Sequence, residues 1–371
     1  MAANPKVIGD AICIERPASR RQLEEFARLP FQVYAARDAW WPPDVNSEID
    51  LLSRRSLLSP YLEVTPFCAR HAGRLVARVS AVINRRYIEH WNEPLGQLIH
   101  FEALEGEDLA VAAMLDDAVQ SLCERGMRAV RNGFAAFLDY PYAIDNYGSL
   151  PSFLLRGNPP SYHRYFKQAG FVTEKGQLDY TVALAPEILA RYRRIAEAAA
   201  AASVAIRSWR EFGFLAAIDA WTDVTNSAFD RHWGWNPVTR AEVRPMLTAL
   251  WETPVADLSM LAIVDGHCVG AVFSVPDLSA TLARVRRGVR LPPERGGGTR
   301  GALINIGVVA QARGRGVALA MAARSFLAMA ERKMRFAGYT LVLDDNWPSR
   351  CTALSLGAHV TGNFVTYRRD L

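Results

Sequence analysis

The sequence predicts two tandem α/β domains, each a mixed, largely antiparallel β-sheet flanked by helices. The chain has 371 residues, of which 50% are hydrophobic and 22% charged, which is enough for two ordinary cores. Its halves repeat one order of elements at an offset of roughly 190 residues. Each half also contains a hairpin pattern and a strand–helix–strand pattern. The predicted domains cover residues 1–185 and 203–371, and a linking helix covers 186–202.

Each half opens with a short strand and a helix-start signal. The strands are ICIE and VAIR, and the signals are Ser19-x-x-Gln22 and Ser208-x-x-Glu211. In such a capping box the hydroxyl accepts from the third helical amide, and the third side chain accepts from the amide of the capping residue. The same box in the same place in both halves indicates a duplicated plan.

Two apolar runs in each half are broken by a tight turn. CARHAGRLVARVSAVIN turns at Ala72-Gly73, and LAIVDGHCVGAVFSVPD turns at Asp265-Gly266. Apolar runs separated by two turn-forming residues predict a β-hairpin.

A strand, a helix and a second strand follow in each half and predict a parallel βαβ unit. The helices are predicted to end at Gly126 and Gly338, before MRAVR and YTLVL. Both halves then place an asparagine, Asn158 or Asn346, just before a proline-started helix, and both close with a final strand.

Composition restricts the class of protein. The chain carries 43 Lys+Arg and 38 Asp+Glu, a net charge of +5. This mild excess suits an anionic ligand or membrane surface, and it does not call for nucleic acid. Five separated cysteines without a CxxC pair predict neither disulfides nor a metal site. Without a signal-like or membrane-spanning apolar run, we expect a soluble cytoplasmic protein.

The two halves differ at the turn between the βαβ strand and its helix. In the second half LINIGVV runs into Ala310-Gln-Ala-Arg-Gly-Arg-Gly316. Gly314 and Gly316 allow close approach of a ligand, the helix start presents free N–H groups, and Arg313 and Arg315 add positive charge. This predicts a pyrophosphate cradle. The first half has FEALEGED, with four acids in eight residues, so only the second half should bind a nucleotide.

These residues resemble a known family. Gln311-x-x-Gly314-x-Gly316 after a strand, with a hairpin before it and Asn346 closing the next strand, is similar to the acyl-CoA site of the GNAT N-acyltransferase superfamily. Five further segments resemble its bacterial ceramide synthase-like branch, which acylates sphingoid-base amines and includes members without a known substrate: LPFQVYAARDAWWPPD, GRLVARVSAVINRR, NPPSYHRYFKQAGF, HWGWNPVTRAE and VLDDN.

The resemblance implies a cofactor site. Its residues would be Val308, Val309, Ala310, Gln311, Ala312, Arg313, Gly314, Arg315, Gly316, Val317 and Asn346. Backbone groups of residues 308–310 would meet the pantetheine, amides of residues 312–317 would hold the pyrophosphate, and the thioester would lie near Asn305, Asn346 and Tyr367. Acyl-CoA is therefore the expected co-substrate, with no metal. Many GNAT enzymes carry a tyrosine seven residues after the asparagine to protonate the leaving thiolate, but this chain has Ala353.

Amide formation also needs a proton acceptor. The candidate bases are Glu242, His232, Asp344 and Asp345, and Tyr367 is the candidate acid. Each has a structural alternative: Glu242 can cap a helix with Thr239, His232 can be a packed core histidine, the aspartates can face solvent, and Tyr367 can be a core tyrosine.

Three functions remain open at this point. The first is acyl transfer from long-chain acyl-CoA to a sphingoid amine. The second is acetyl transfer to a small polar amine, and the third is non-catalytic acyl-CoA binding. A basic stretch over 281–300 suits CoA phosphates or an anionic membrane, including peripheral contact at an inner membrane, or is a solvated insertion. An aromatic stretch over 136–155 either lines an acyl channel or packs between domains.

Overall fold

The computed structural model describes residues 6–8, 11–37, 40, 42–136, 138–149, 151–153, 155–279 and 298–371. Two compact units divide the chain. The first contains the residues up to Lys175 together with Phe364–Leu371, and the second contains Gly176–Asn363.

The first unit holds a sheet whose order is β1-β2-β3-β4-β5-β6, followed by the last residues of the final strand β14, His359–Asp370. Its pairs are antiparallel except for β5 and β6, which are parallel. The short strand β7 also pairs with β14. The elements are β1 Lys6–Ile8, β2 Ile12–Glu15, α1 Arg20–Val33, α2 Val45–Leu52, β3 Leu62–His71, β4 Arg74–Asn84, α3 Arg85–Trp91, β5 Leu95–Ala103, α4 Asp108–Glu124, β6 Ala129–Asn132, β7 Tyr142–Ala143 and α5 Ser161–Gln168.

The second unit repeats this plan with the sheet order β9-β10-β11-β12-β13-β8. Here β12 and β13 are the parallel pair. The elements are β8 Val172–Ala183, α6 Pro186–Ala201, β9 Ala205–Ser208, a 3₁₀ turn Trp209–Glu211, α7 Phe214–Phe229, α8 Arg240–Trp251, α9 Val255–Leu258, β10 Met260–Val264, β11 His267–Pro276, β12 Arg300–Val308, a 3₁₀ turn Ala310–Ala312, α10 Val317–Glu331, β13 Phe336–Leu343, α11 Trp347–Ser355 and β14 His359–Asp370.

The local signals read from the sequence form as predicted. Both capping boxes, at Ser19 and Ser208, make their reciprocal hydrogen bonds. Both hairpin turns use a left-handed pair, with φ of 48° and 79° at Ala72-Gly73 and 50° and 78° at Asp265-Gly266. Such turns match the twist of the flanking strands. The predicted fold class of two tandem α/β domains is confirmed.

The compact units differ from the predicted segments 1–185, 186–202 and 203–371. The end of β8 pairs with β13 over residues 177–183 and belongs to the second unit. The end of β14 pairs with β6 over residues 367–370 and belongs to the first. Hydrogen bonding between strands thus decides membership of a unit, whatever the order along the chain. The predicted linking helix is α6, and it packs on α10 within the second unit.

One predicted helix end was wrong. The helix α10 ends at Glu331, and Gly338 lies inside β13. The left-handed residue after this helix is Lys333, with φ of 64°. The left-handed residue that ends the helix is therefore a lysine and not the predicted glycine. Gly338 instead faces the Arg300 side chain, whose Nη2 would lie 3.2 Å from an added Cβ.

Each unit buries its own apolar core between sheet and helices. In the first, α4 and α5 contribute Met114, Leu115 and Phe166. In the second, α10 contributes Met321 and Phe326. Within the described ranges no helix is long and apolar enough to cross a membrane.

Candidate functional site

The parallel strands of the second unit separate halfway along their length. The described pairing of β12 with β13 ends at Leu303↔Tyr339. Thr340 Oγ1 donates to the Leu303 carbonyl at 3.2 Å and closes this ladder. Beyond that point β12 continues to Val308 and stays paired with β11 on its other edge. The separation leaves a cleft whose wall is a strand edge, which suits an extended ligand with amide groups.

The glycine loop, residues 310–316, follows this strand. It begins with a 3₁₀ turn over Ala310–Ala312 and contains Gly314 and Gly316, both with φ of 75°. Gly316 caps α10 without a side-chain hydrogen bond to the helix start. A Cβ at either glycine would meet no atom within 4 Å, so the loop faces open space. A helix start of this kind binds anions, because its first amides lack partners within the helix.

The two arginines of the glycine loop have different surroundings. Arg313 donates from Nε to the Val308 carbonyl at 3.1 Å and from Nη2 to the Ala228 carbonyl at 2.9 Å. Its guanidinium is therefore committed to protein carbonyls, which differs from the predicted role toward phosphate. Arg315 is exposed, and no hydrogen bond or ion pair of its side chain is recorded within the described part of the chain. Arg315 is thus the loop cation suited to a ligand phosphate.

The backbone of residues 308–310 is more occupied than expected. Val309 N–H donates to the Val269 carbonyl at 2.9 Å, and the Val309 carbonyl accepts from Ala312 N–H at 3.0 Å. The Val308 carbonyl accepts from Arg313. These three groups therefore already have protein partners, whereas the sequence analysis expected backbone groups of residues 308–310 to meet the pantetheine. Beyond Leu303, the edge of β12 that faces away from β11 has no strand partner among the described pairs.

The corresponding cleft of the first unit is filled by its own side chains. The described pairing of β5 with β6 ends at Leu98↔Asn132, while β5 runs on to Ala103. The Ala103 amide donates to Tyr162 Oη at 2.9 Å, and Arg156 Nη1 donates to the Phe101 carbonyl at 3.2 Å. These backbone groups therefore have partners where an extended ligand would need them.

The loop after β5 is also unsuited to phosphate. Glu107 caps α4, and its carboxylate lies 2.8 Å from His71 Nδ1. Asp108, the first helical residue, pairs with Arg164 at 3.0 Å. In addition, Glu102 near the end of β5 is buried, and burial raises the pKa of its carboxyl. Two acidic residues thus stand at the start of α4, where the second unit has Gly316 and Val317.

The face of β12 that packs on α7 carries Asn305 and Gly307. A Cβ at Gly307 would lie 2.9 Å from Ala228 Cβ and 3.2 Å from Phe229 Cε2, so only glycine fits without displacing α7. Asn305 lies opposite Phe273 on β11. Asn305 Oδ1 is buried with no hydrogen-bond partner among the described residues. A buried acceptor without a partner favours a ligand donor at this position.

The α7–α8 segment, residues 229–239, is fastened to the last turn of α7. Asn226 bonds both backbone groups of Val238, at 3.0 and 2.8 Å. Phe229 stacks on Trp235 with ring centroids 5.2 Å apart. His232 Nδ1 lies 3.1 Å from the Trp233 carbonyl. Since a carbonyl only accepts, Nδ1 carries the proton in this contact and the lone pair of neutral His232 lies on Nε2.

Glu242 has the capping role that the sequence allowed as its alternative. Its Oε2 accepts from Thr239 N–H at 3.0 Å, and its own amide donates to Thr239 Oγ1 at 3.4 Å. The side chain is nevertheless buried. One carboxylate oxygen of Glu242 is therefore engaged at the start of α8, and any role as a base must coexist with the cap.

The polar residues after β13 lie at the start of α11. Asp344 and Asp345 are exposed. Asn346 caps the helix, with its Oδ1 accepting from Ser349 N–H at 3.2 Å. Ala353 is completely buried in the core of the second unit. The position that carries a tyrosine in many GNAT enzymes is therefore a packing position in this chain.

Tyr367 pairs with Asn132 on β6 and belongs to the first unit. Its hydroxyl donates to Nδ1 of His163, whose Nε2 donates to the Ala143 carbonyl at 2.8 Å. Burial raises the pKa of Tyr367 to about 12. Its ring packs on Phe166, with centroids 5.1 Å apart. The structure supports the core interpretation of Tyr367, because β14 ends in the first unit's sheet.

Two stretches singled out in the sequence have different outcomes. Residues 281–297 of the basic stretch lie outside the described residues. The aromatic stretch is packed into the first unit, where Tyr142 donates to Asn132 Oδ1 at 2.9 Å and its ring lies 4.7 Å from that of Phe166. The described part of this stretch therefore supports a packing role within the first unit and not a role as the wall of an acyl channel.

Comparison with known proteins places this architecture in a class. No family model matches the chain. A GCN5-related N-acetyltransferase from Sphaerobacter thermophilus superposes with a TM-score of 0.57 and 16% identity, covering 98% of this chain and 97% of that one. A tandem GNAT protein from the clavulanic acid biosynthesis pathway gives a TM-score of 0.56 and 14% identity, covering 97% and 98%. The chain has the tandem GNAT fold.

A more specific similarity comes from sequence. The chain is 24% identical over 282 residues to a protein named bacterial ceramide synthase from Caulobacter vibrioides, covering 74% of this chain and 72% of that protein. The resemblance inferred from sequence motifs, to tandem GNAT acyltransferases and to the ceramide synthase-like branch, is confirmed. Fold and relative together support an N-acyltransferase.

Proposed function

We propose that the second unit transfers an acyl group from acyl-CoA to a primary amine. The observation that carries this proposal is the separation of β12 from β13 in front of an unobstructed glycine loop. The amides at the start of α10 and Arg315 would hold the pyrophosphate and phosphate groups. The free edge of β12 would hold the pantetheine, and Asn346 would meet its thioester end.

The reaction needs a neutral amine nucleophile and donors for the oxyanion. Asn305 Oδ1, buried without a described partner, would accept from the attacking amine and orient its lone pair. Backbone N–H groups on the open edge of β12 would stabilise the oxyanion. The CoA thiolate leaves without obligatory protonation by an enzyme acid, which is consistent with alanine at position 353.

His232, Glu242 and Asp345 remain the proposed proton acceptors. His232 has its Nδ1 proton directed at a backbone carbonyl, so its Nε2 lone pair is the basic site. Glu242 is buried and shares its carboxylate with the helix cap. Asp345 is exposed to solvent. We rank His232 with Glu242 ahead of Asp345, and we assign no acid role to Tyr367.

For the acceptor we propose the amine of a sphingoid base, with a long-chain acyl-CoA as donor. The support is the distant relative's name together with the sequence segments of that branch. Contact with an anionic membrane surface would deliver such a substrate. Acetyl transfer to a small amine is the second candidate, because the structural neighbours are named acetyltransferases.

A direct assay separates these functions. Purified protein is incubated with palmitoyl-CoA and sphinganine, or with acetyl-CoA and spermidine, and product is identified by mass spectrometry while free CoA is measured with a thiol reagent. N-palmitoyl sphinganine formed with release of equal CoA supports the proposal. Acetyl product alone would replace it with the second candidate, and tight CoA binding without any product would indicate a non-catalytic acyl-CoA-binding protein.

A further inference from the structure

Arg313 connects two pieces of the second unit that are far apart in sequence. The Ala228 carbonyl lies in the last turn of α7, where carbonyls lack a partner further along the helix. The Val308 carbonyl is at the end of β12. Arg313 donates to both, at 2.9 and 3.1 Å. A cation at a helix C-terminus also interacts favourably with the helix dipole.

The last turn of α7 determines where the α7–α8 segment lies. Asn226 holds Val238, and Phe229 stacks on Trp235, so the segment is fastened to this turn at both ends. The same turn rests on Gly307, where an added Cβ would come within 2.9 Å of Ala228. Two contacts therefore join the end of α7 to β12, the close packing of Ala228 on Gly307 and the hydrogen bonds of Arg313.

We infer that Arg313 is a positioning residue for the acceptor side of the site and not a phosphate ligand. It acts through Ala228, holding the α7–α8 segment and His232 at a constant distance from the strand that would carry the thioester. The catalytic importance of that distance rests on the proposed function. The hydrogen bonds from Arg313 to the Ala228 and Val308 carbonyls are a property of the second unit itself. Arg315, two residues along, is the loop's phosphate-binding arginine.

Two matched substitutions in the whole chain test whether Arg313 positions the α7–α8 segment while Arg315 binds phosphate. Arg315→Ala should raise the Kd for CoA, measured by calorimetry, roughly tenfold and weaken its salt dependence. Arg313→Ala should leave that Kd within about twofold, because no ligand contact is lost. With palmitoyl-CoA and sphinganine, Arg313→Ala should lower kcat/KM for the amine roughly tenfold, since two charge-assisted hydrogen bonds disappear. Arg313→Lys, which can reach one carbonyl, should restore part of it.

Hydrogen exchange gives a readout that does not depend on activity. The His232 amide donates to the Phe229 carbonyl at 2.7 Å, within the turn that Arg313 holds. Its exchange should accelerate at least about fivefold in Arg313→Ala and remain unchanged in Arg315→Ala. If exchange is faster in Arg313→Ala but the protein binds no CoA, the positioning role of Arg313 is supported and the proposed function is refuted. Equal loss of CoA affinity in both variants, or unchanged exchange in Arg313→Ala, would overturn the inference.

Discussion

Gly316→Glu is the substitution that most directly tests the assigned cradle. Gly316 has φ of 75°, and Gly106, its counterpart before α4, has φ of 86°. A Cβ at either site would meet no atom within 4 Å, so neither substitution clashes. A non-glycine residue in this conformation costs about 1–2 kcal/mol. Both glutamate variants should therefore lose about that much stability toward urea, and to a similar extent.

CoA affinity should distinguish the two variants. A carboxylate about 4 Å from one phosphate charge is repelled by about 1 kcal/mol in water and about 4 kcal/mol at the effective dielectric of a protein surface. This corresponds to roughly 5- to 1,000-fold in Kd for Gly316→Glu. Gly106→Glu should bind CoA like the wild type, because its loop is already acidic and the backbone edge behind it is taken by Tyr162 and Arg156.

Calorimetric titration with CoA at two salt concentrations is the assay, and Gly316→Ala separates strain from charge. The alanine variant should show the stability loss with only a small change in Kd, and high salt should narrow the gap between the glutamate variant and wild type. Wild-type affinity in Gly316→Glu, or an equal loss in Gly106→Glu, would refute the assignment of the pyrophosphate to the glycine loop.

Three further predictions concern substrate, base and pH. In a competition assay, palmitoyl-CoA should be used in preference to acetyl-CoA, because burial of each CH₂ group contributes about 0.8 kcal/mol to binding. Equal use of the two donors would refute the proposed long-chain donor. Glu242→Gln keeps the cap to Thr239 but cannot accept a proton, so if Glu242 is the base kcat should fall by roughly 10². Glu242→Ala should in addition cost about 1 kcal/mol of stability, and wild-type turnover in the glutamine variant would leave His232 as the base. Burial lowers the pKa of His163, so the folded state favours the neutral imidazole. The contribution of neutral His163 to the free energy of unfolding is therefore complete above the unfolded-state pKa of about 6.5 and is lost as the pH falls below that value. The free energy of unfolding should accordingly decline from pH 7.5 to 5 less steeply in His163→Gln than in wild type, and identical slopes would contradict this reasoning.

Local patterns were enough to predict the repeated architecture and a glycine loop at the start of the second unit's βαβ helix. Capping boxes, two-residue hairpin turns and glycines of positive φ act within a few residues, so their outcome is written into short segments such as those at Ser19 and Gly316. The contrast between QARGRG and FEALEGED likewise needs only the residues of each loop. The helix end placed at Gly338 failed because a lysine supplied the left-handed residue instead.

Roles that depend on distant partners were decided by the tertiary structure alone. The loop sequence predicts Arg313 as a phosphate ligand, and only the structure shows that Arg313 donates a hydrogen bond to the Ala228 carbonyl, 85 residues away. Tyr367 belongs to the second half in sequence, yet strand pairing with Asn132 places it in the first unit's core. The first cleft is closed by Tyr162, 59 residues beyond the backbone group it binds. The sequence shows which side chains can donate or accept hydrogen bonds. Tertiary packing determines which partner each one binds, because separation along the chain does not show which surfaces meet.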